Sequence, residues 1–294
     1  MDAFASFIQN LANGLLIGGV YALIGVGLSL IFGVMRVINF AHGDFVVLGM
    51  YSAIVIRQLV GWDPYLSLIV VLPLGFLVGM AIERLVLSRL VDAPEESALL
   101  ATLGLSLIIG NALKLGFGAE PRSVYVPYAT STLSIGDVNL SIVLLLAGAA
   151  TGIVIGGLYL LLNRTEIGRA IRATAENRLG AELVGINTLR IHSVVFGLGM
   201  VLAITAGIAL IPLLFATPTI TGPIFTLKAF VVTVLGGLGN VGAAIGGGLL
   251  LGVVEVLGAS YLSSAYRDAY GLIAFLLILL LRPEGLFGRT VKRV

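Results

Sequence analysis

The sequence contains no cysteine, so disulfides, thiol nucleophiles and thiolate metal sites are all excluded. Its two histidines, His42 and His192, lie far apart in the chain, which argues against a zinc site. Charge is also scarce: Asp, Glu, Lys and Arg make up 11% of the residues, against roughly 25% in ordinary soluble domains. The net charge is only +2, and the basic residues form no dense stripe, so nucleic acid is not an expected partner. No Gly-Lys pair occurs, which removes the phosphate-cradling GxxxxGK[ST] loop and with it direct ATP binding by that route. GxSxG and HExxH are absent too. The expectation is a chain with no catalytic residues, no metal and no cofactor of its own.

What the sequence does have is apolar length. Hydrophobic residues are 59% of the 294, more than a soluble fold could hide, and the 39 glycines are spread through apolar runs as in membrane helices packed through small residues. A helix crosses the hydrocarbon core in roughly 20 apolar residues. Suitable runs lie near Leu11 to Gly33, Phe45 to Val60, Tyr65 to Ile82, Ala98 to Leu115, Leu140 to Leu162, Ile191 to Phe215 and Ala269 to Leu281. The first has no Lys or Arg before it and no small-residue cleavage site, so it reads as a retained membrane helix rather than a signal peptide. The fold class expected is all-α: a polytopic transmembrane helical bundle, one domain over residues 1–294.

Basic residues near span ends stay in the cytoplasm. With the N-terminus outside, twelve of the 17 basic residues fall inside, including Arg164, Arg169, Arg172, Arg178 and Arg190 in one loop and Arg282, Arg289, Lys292 and Arg293 at the end. The opposite orientation reverses the bias. A further apolar region, Ile224 to Leu257, is interrupted by Gly236, Gly237, Gly239 and Asn240. Crossing parity requires it to enter and leave on the same face. It is either a re-entrant or strongly tilted pair, whose irregular backbone must be covered by protein or water, or two ordinary helices with a tight loop.

Asn39, His42 and Asp44 stand where the second run begins. Polar groups at membrane depth are costly unless they face protein or water, so these three either line a transport path or are interfacial residues with a helix-capping Asn or Asp. Together with Gly236, Gly237, Gly239 and Asn240 they are the candidates for a substrate path. Glu83 with Arg84 reads as an interfacial anchor. Glu255, in the second limb of the interrupted region, needs a cation, for which Lys228 and Arg267 are candidates, and structural pairing is favoured over substrate contact. A short similarity between GDFVVLG from Gly43 and KAFVVTVLGG from Lys228 hints at repeated halves.

The most informative loop, within residues 163–190, is IGRAIRATAENRLGAELVGIN. Small residues Ala170, Ala173, Ala181 and Gly185 recur among Arg169, Arg172, Glu176, Arg178 and Glu182, so a short helix could offer a shallow charged surface to another protein; a solvated turn is the plainer alternative. This stretch resembles the cytoplasmic coupling loop of ABC-importer permeases of the branched-chain amino acid group, of the form GRAxRAxAENxxxAxxxGIN. Gly168, Arg169, Ala170, Arg172, Ala173, Ala175, Glu176, Asn177, Ala181, Gly185, Ile186 and Asn187 match it. INFAHGDFVVLGMY from Ile38, VLGGLGNVGAAIGGGLLLGVVE from Val234 and RPEGLFG from Arg282 are similar to three further segments of that family, in the same order, although Asp44 stands where many relatives have Glu.

The resemblance implies a permease in a bacterial inner membrane, surrounded by lipid. It also implies a second permease of related fold, two cytoplasmic ATPase subunits that use the ATP, and a periplasmic substrate-binding protein. Branched-chain or similar hydrophobic amino acids are the expected cargo, with urea or short amides as the alternative inside the family. An ion-coupled secondary transporter would share the polytopy but has no use for a docking loop, and a membrane enzyme lacks its catalytic cluster.

Overall fold

The computed structural model describes residues 3–90, 93–282 and 285–286. Eleven α-helices follow one another among these: α1 (Ala3–Met35), α2 (His42–Val60), α3 (Leu68–Leu85), α4 (Glu95–Phe117), α5 (Ile142–Arg164), α6 (Glu166–Glu176), α7 (Arg178–Leu183), α8 (Thr188–Leu210), α9 (Thr221–Gly236), α10 (Val241–Tyr261) and α11 (Arg267–Leu281). Eight helical stretches in the described residues are long and apolar enough to cross a membrane, and α9, at 16 residues, is shorter. The all-α polytopic expectation holds, with one addition. The segment before α5 carries a small antiparallel hairpin, β1 (Thr132–Ile135) and β2 (Val138–Ser141), turned at Gly136, whose φ of 61° suits glycine. Of the ending RPEGLFG, Pro283, Glu284, Phe287 and Gly288 lie outside the described residues, as do Arg289, Lys292 and Arg293.

Glycine sets the centre of the bundle. On α1, Gly14 and Gly18 meet Val253 and Leu249 of α10, and Gly248 meets Ala22, so the two helices run antiparallel with their backbones almost touching. A Cβ at Gly18 would stand 2.8 Å from the Leu249 Cα. Such close approach through small residues is how helices associate where lipid removes the hydrophobic drive. The same device joins α3 to α8, where Gly79 faces Gly197. As a result α8 is buried along most of its length, while α4, α5 and α11 turn large apolar side chains outward, the pattern of an inner core ringed by lipid-facing helices.

The interrupted region is a helical hairpin. Helix α9 ends at Gly236, residues 237–240 turn, and α10 returns antiparallel to it. Gly237 has φ 103° and ψ 119°, a conformation that essentially only glycine adopts, and the Asn240 side chain caps α10 by accepting from the Ala243 N–H at 3.1 Å. At Gly236 a Cβ would lie 2.6 Å from the Ala244 N, so the hairpin closes tightly only without a side chain there. The turn's backbone is not bare: the Gly237 N–H donates to the Thr233 carbonyl at 3.0 Å and the Asn240 N–H to the Gly237 carbonyl at 3.1 Å, while the Leu286 N–H donates to the Leu235 carbonyl near the end of α9 at 2.9 Å.

One polar residue placed from sequence, Glu83, has different surroundings in the structure, and another, Glu255, has those expected. Glu83 is fully buried, with the Ser193 hydroxyl donating to it, and is therefore not an interfacial anchor. Its partner is 110 residues away, beyond the reach of local pattern. Glu255 does take the cations expected of it, from Lys228 and from Arg267 at 3.6 Å. Tyr21, which sequence alone does not single out, donates to the same carboxylate.

Candidate functional site

Helix α2 begins deep in the bundle. After α1 ends at Met35, Arg36 adopts a left-handed φ of 57° and residues 36–41 run back alongside α1. His42 then donates from Nε2 to the Ile24 carbonyl at 2.9 Å. Ile24 lies eleven residues before the end of α1, about 16 Å along the helix at 1.5 Å per residue. Asn39, His42 and Asp44 are all buried, at 0%, 0% and 2% exposure, so they are internal groups rather than interfacial ones.

Irregular backbone at such a depth must be satisfied by protein. Threonine hydroxyls from two other helices do it. The Phe40 N–H donates to Thr102 Oγ1 of α4 at 3.2 Å, the Gly43 N–H donates to Thr226 Oγ1 of α9 at 2.9 Å, and Thr226 donates in turn to the Phe40 carbonyl at 3.1 Å. Asn39 accepts from the Ala41 N–H at 3.0 Å, a turn contact rather than the helix cap expected, since no side chain caps α2. Thr102 and Thr226 escaped the sequence reading because isolated threonines in apolar runs carry no local signal.

The first turns of α2 and α9 therefore meet inside the bundle. Gly43 packs against Gly222 and Thr226, and Gly222 packs against the Asp44 carboxylate. Asp44 lies in the first turn of α2 and the glycine facing it lies in the first turn of α9, so two positive helix ends frame one acid. Among the described residues no Lys, Arg or His forms an ion pair with Asp44.

The glycine turn lies elsewhere. Gly239 packs against Gly33 near the end of α1, and Thr226 is ten residues upstream of Gly236 on α9, about 15 Å by helical rise. The expected companionship of the Asn39–Asp44 segment with Gly236, Gly237, Gly239 and Asn240 is thus not found. Gly236 and Gly237 are buried turn residues, whereas Gly239 and Asn240 border a cavity of about 570 Å³ shared with Arg172 and Glu176 of α6. The glycine turn meets the arginine-rich loop, not the start of α2.

That loop folds as two short helices, each begun by a side chain from the sequence. Thr165 accepts from the Gly168 N–H at 3.0 Å, Asn177 from the Gly180 N–H at 2.9 Å, and Asn187 from the Arg190 N–H at 2.9 Å, where α8 starts. On α6, Gly168, Ile171 and Thr174 form the inward stripe, while Arg169, Arg172 and Glu176 are exposed. Gly168 can hold no side chain, because its Cβ would strike the Leu161 and Leu162 carbonyls.

The small residues have a different role from the one spacing suggested. Ala181 is buried and Ala170 and Ala173 are half-buried, so they let the loop pack onto the bundle rather than forming its outer surface. Gly185, with φ 87°, ends α7 and is exposed. Beside its exposed charges the outward surface carries an apolar patch: Leu179, Leu183 and Val184 are 67%, 80% and 76% exposed. The i, i+4 spacing of Leu179 and Leu183 is the sequence signal that puts those two on one helix face. Beside them the Thr188 hydroxyl and the Arg178 guanidinium hold the Glu182 carboxyl below the usual glutamate range.

These features define a multi-pass helical membrane protein with an irregular, hydroxyl-satisfied segment at its centre and an exposed apolar patch on its arginine-rich face. Residues 10–281 match the family described as "Branched-chain amino acid transport system / permease component". The chain is 32% identical to the high-affinity branched-chain amino acid transport system permease protein BraD of Pseudomonas aeruginosa, covering 98% of each chain. It is 30% identical to the corresponding protein LivH of Salmonella typhimurium, over 98% of this chain and 97% of the relative. A probable LivH of Methanocaldococcus jannaschii is 30% identical over 97% and 93%. No solved structure matches. The chain belongs to the branched-chain amino acid transport permease family.

Proposed function

We propose that this protein is the membrane-spanning permease subunit of an ATP-driven importer for branched-chain or similar hydrophobic amino acids. End-to-end similarity to BraD and LivH, with no large insertion or missing segment, carries the reading. The exposed patch of Leu179, Leu183 and Val184 beside the Arg178–Glu182 pair supports a protein partner on the arginine-rich face, where charge asymmetry puts the cytoplasm. Two ATPase subunits would dock there and supply all the ATP chemistry. A second permease of related fold would complete the path, and a periplasmic binding protein would deliver the cargo.

The path runs beside the inner start of α2. Asp44 and the polar backbone around Asn39 offer dipoles and one negative charge, a weak site past which a zwitterion can move and from which it can leave. Affinity then resides in the binding protein.

The test is reconstitution of the purified complex in proteoliposomes with labelled L-leucine. ATP-dependent uptake that requires the binding protein supports the proposal. Uptake driven by an ion gradient without ATP would replace it with a secondary carrier, and uptake of urea or acetamide in preference to leucine would change the cargo.

A further inference from the structure

A second cavity, of about 350 Å³, opens on the arginine-rich face between the end of α1, the turn at Leu87 to Leu90, the start of α4 and the junction of α6 with α7. Its volume falls in the roughly 300–1,000 Å³ range of small-molecule pockets. Three of its residues are notable for what they lack. Arg36 and Glu176 line it, and neither makes an ion pair among the described residues, whereas Arg178, which also lines it, is held by Glu182 at 3.1 Å. His192 also lines it, is only 3% exposed, and leaves both ring nitrogens buried without a hydrogen-bond partner. Buried polar atoms are normally paired, and an unpaired one at a cavity wall has room there for a partner. Leu87, Val34 and Ala98 supply an apolar wall.

We infer that this cavity is a cytoplasm-facing site for a zwitterionic amino acid with an apolar side chain, and that its occupancy restrains the coupling loop. The Arg36 guanidinium and the Glu176 carboxylate at one pocket are the complement of an α-carboxylate and an α-ammonium, His192 adds a further polar contact, and the apolar wall takes the side chain. The left-handed turn at Arg36 places that guanidinium where α1 ends, on the fixed bundle, whereas Glu176 closes α6, on the loop. A ligand held by both ties the loop to the bundle. Because a ligand shifts an equilibrium toward the arrangement it binds better, accumulated product would hold the loop in this arrangement and slow import. The inference rests on the cargo proposed above.

The whole complex is reconstituted with its ATPase subunits facing the bath and loaded binding protein sealed inside, and L-leucine is added to the bath. ATP hydrolysis is expected to fall at least fivefold, and 4-methylpentanoate or 3-methylbutylamine, each lacking one charged group, to act at least tenfold more weakly. Arg36→Gln should raise the leucine concentration for half-inhibition at least tenfold with hydrolysis unchanged when the bath holds no leucine. His192→Gln is the second variant, and binding of labelled leucine to the wild-type complex without its binding protein is the readout that needs no variant. Inhibition by inorganic phosphate or 4-methylpentanoate equal to that by leucine would show an anion site and overturn the assignment. Undiminished hydrolysis and no leucine binding in a complex that imports leucine would overturn this inference alone, and a complex that carries no amino acid would overturn the cargo as well.

Discussion

Tyr21 donates its hydroxyl to Glu255 at 2.9 Å, joining α1 to α10 across 234 residues of sequence. Lys228 of α9 pairs with the same carboxylate and, at 2.8 Å, with Asp268 of α11, while its ammonium lies 4.8 Å from the centre of the Tyr21 ring. Four helices therefore share one network built on a 1% exposed acid.

Because removing one partner of a buried pair leaves the other uncompensated, Glu255→Ala is expected to destabilise the protein by about 3 kcal/mol. Tyr21→Phe removes one hydrogen bond to a charged group and should cost about 1.5 kcal/mol. Thermal unfolding in detergent checks both. A Glu255→Ala protein as stable as the parent would mean that the network contributes nothing.

Most of the bundle was legible in the sequence, because span length and Lys/Arg bias are local quantities. What stayed hidden was depth and pairing. The apolar run from Phe45 reads as an ordinary span, yet α2 starts about 16 Å inside α1's end, and only the contact of His42 with Ile24 reveals it. Glu83 beside Arg84 looks like an anchor until Ser193 arrives from α8. In the loop, helix and charge were readable, but the alanines turn inward and the leucines outward, which depends on the direction in which α7 lies on the bundle.

Topology can be tested directly, since the protein has no cysteine of its own. A single cysteine at Leu183, exposed on the arginine-rich face, should resist an impermeant thiol reagent in intact cells, and one at Thr132, exposed in β1, should react. Labelling of the Leu183 site from outside would invert the orientation.

The proposed docking of an ATPase subunit on the patch predicts an uncoupling phenotype. Leu183→Asp places a charge among exposed apolar side chains, and Glu176→Lys reverses one at the edge of the loop. Each should lower substrate-stimulated ATP hydrolysis of the complex at least tenfold without reducing the amount of permease in the membrane. Normal coupling in both would remove the loop from the ATPase contact.

The glycine turn should behave as architecture. Gly237→Leu forces a side chain into a glycine-only conformation at a cost of about 1–3 kcal/mol, and Asn240→Ala loses the α10 cap for about 1 kcal/mol. Melting temperature should follow that order. A Gly237→Leu protein of parental stability that nevertheless fails to transport would return the turn to the substrate path.

The start of α2 gives the sharpest functional test. Asp44 is held between the N-terminal turns of α2 and α9, with Gly222 against its carboxylate, so replacing the acid by its amide keeps the shape and removes only the charge. If that charge steadies a passing ammonium group, Asp44→Asn should lower the maximal uptake rate several-fold and leave the half-saturating concentration almost unchanged, since the binding protein sets the latter. Thr226→Val is the structural control. It strips the Gly43 N–H and the Phe40 carbonyl of their partner, which should cost about 2 kcal/mol of stability. A rate loss in Asp44→Asn at unchanged melting temperature, set against a stability loss in Thr226→Val, separates a residue of the path from a residue that merely holds the helix start in place. A parental uptake rate in Asp44→Asn would assign the acid to packing alone.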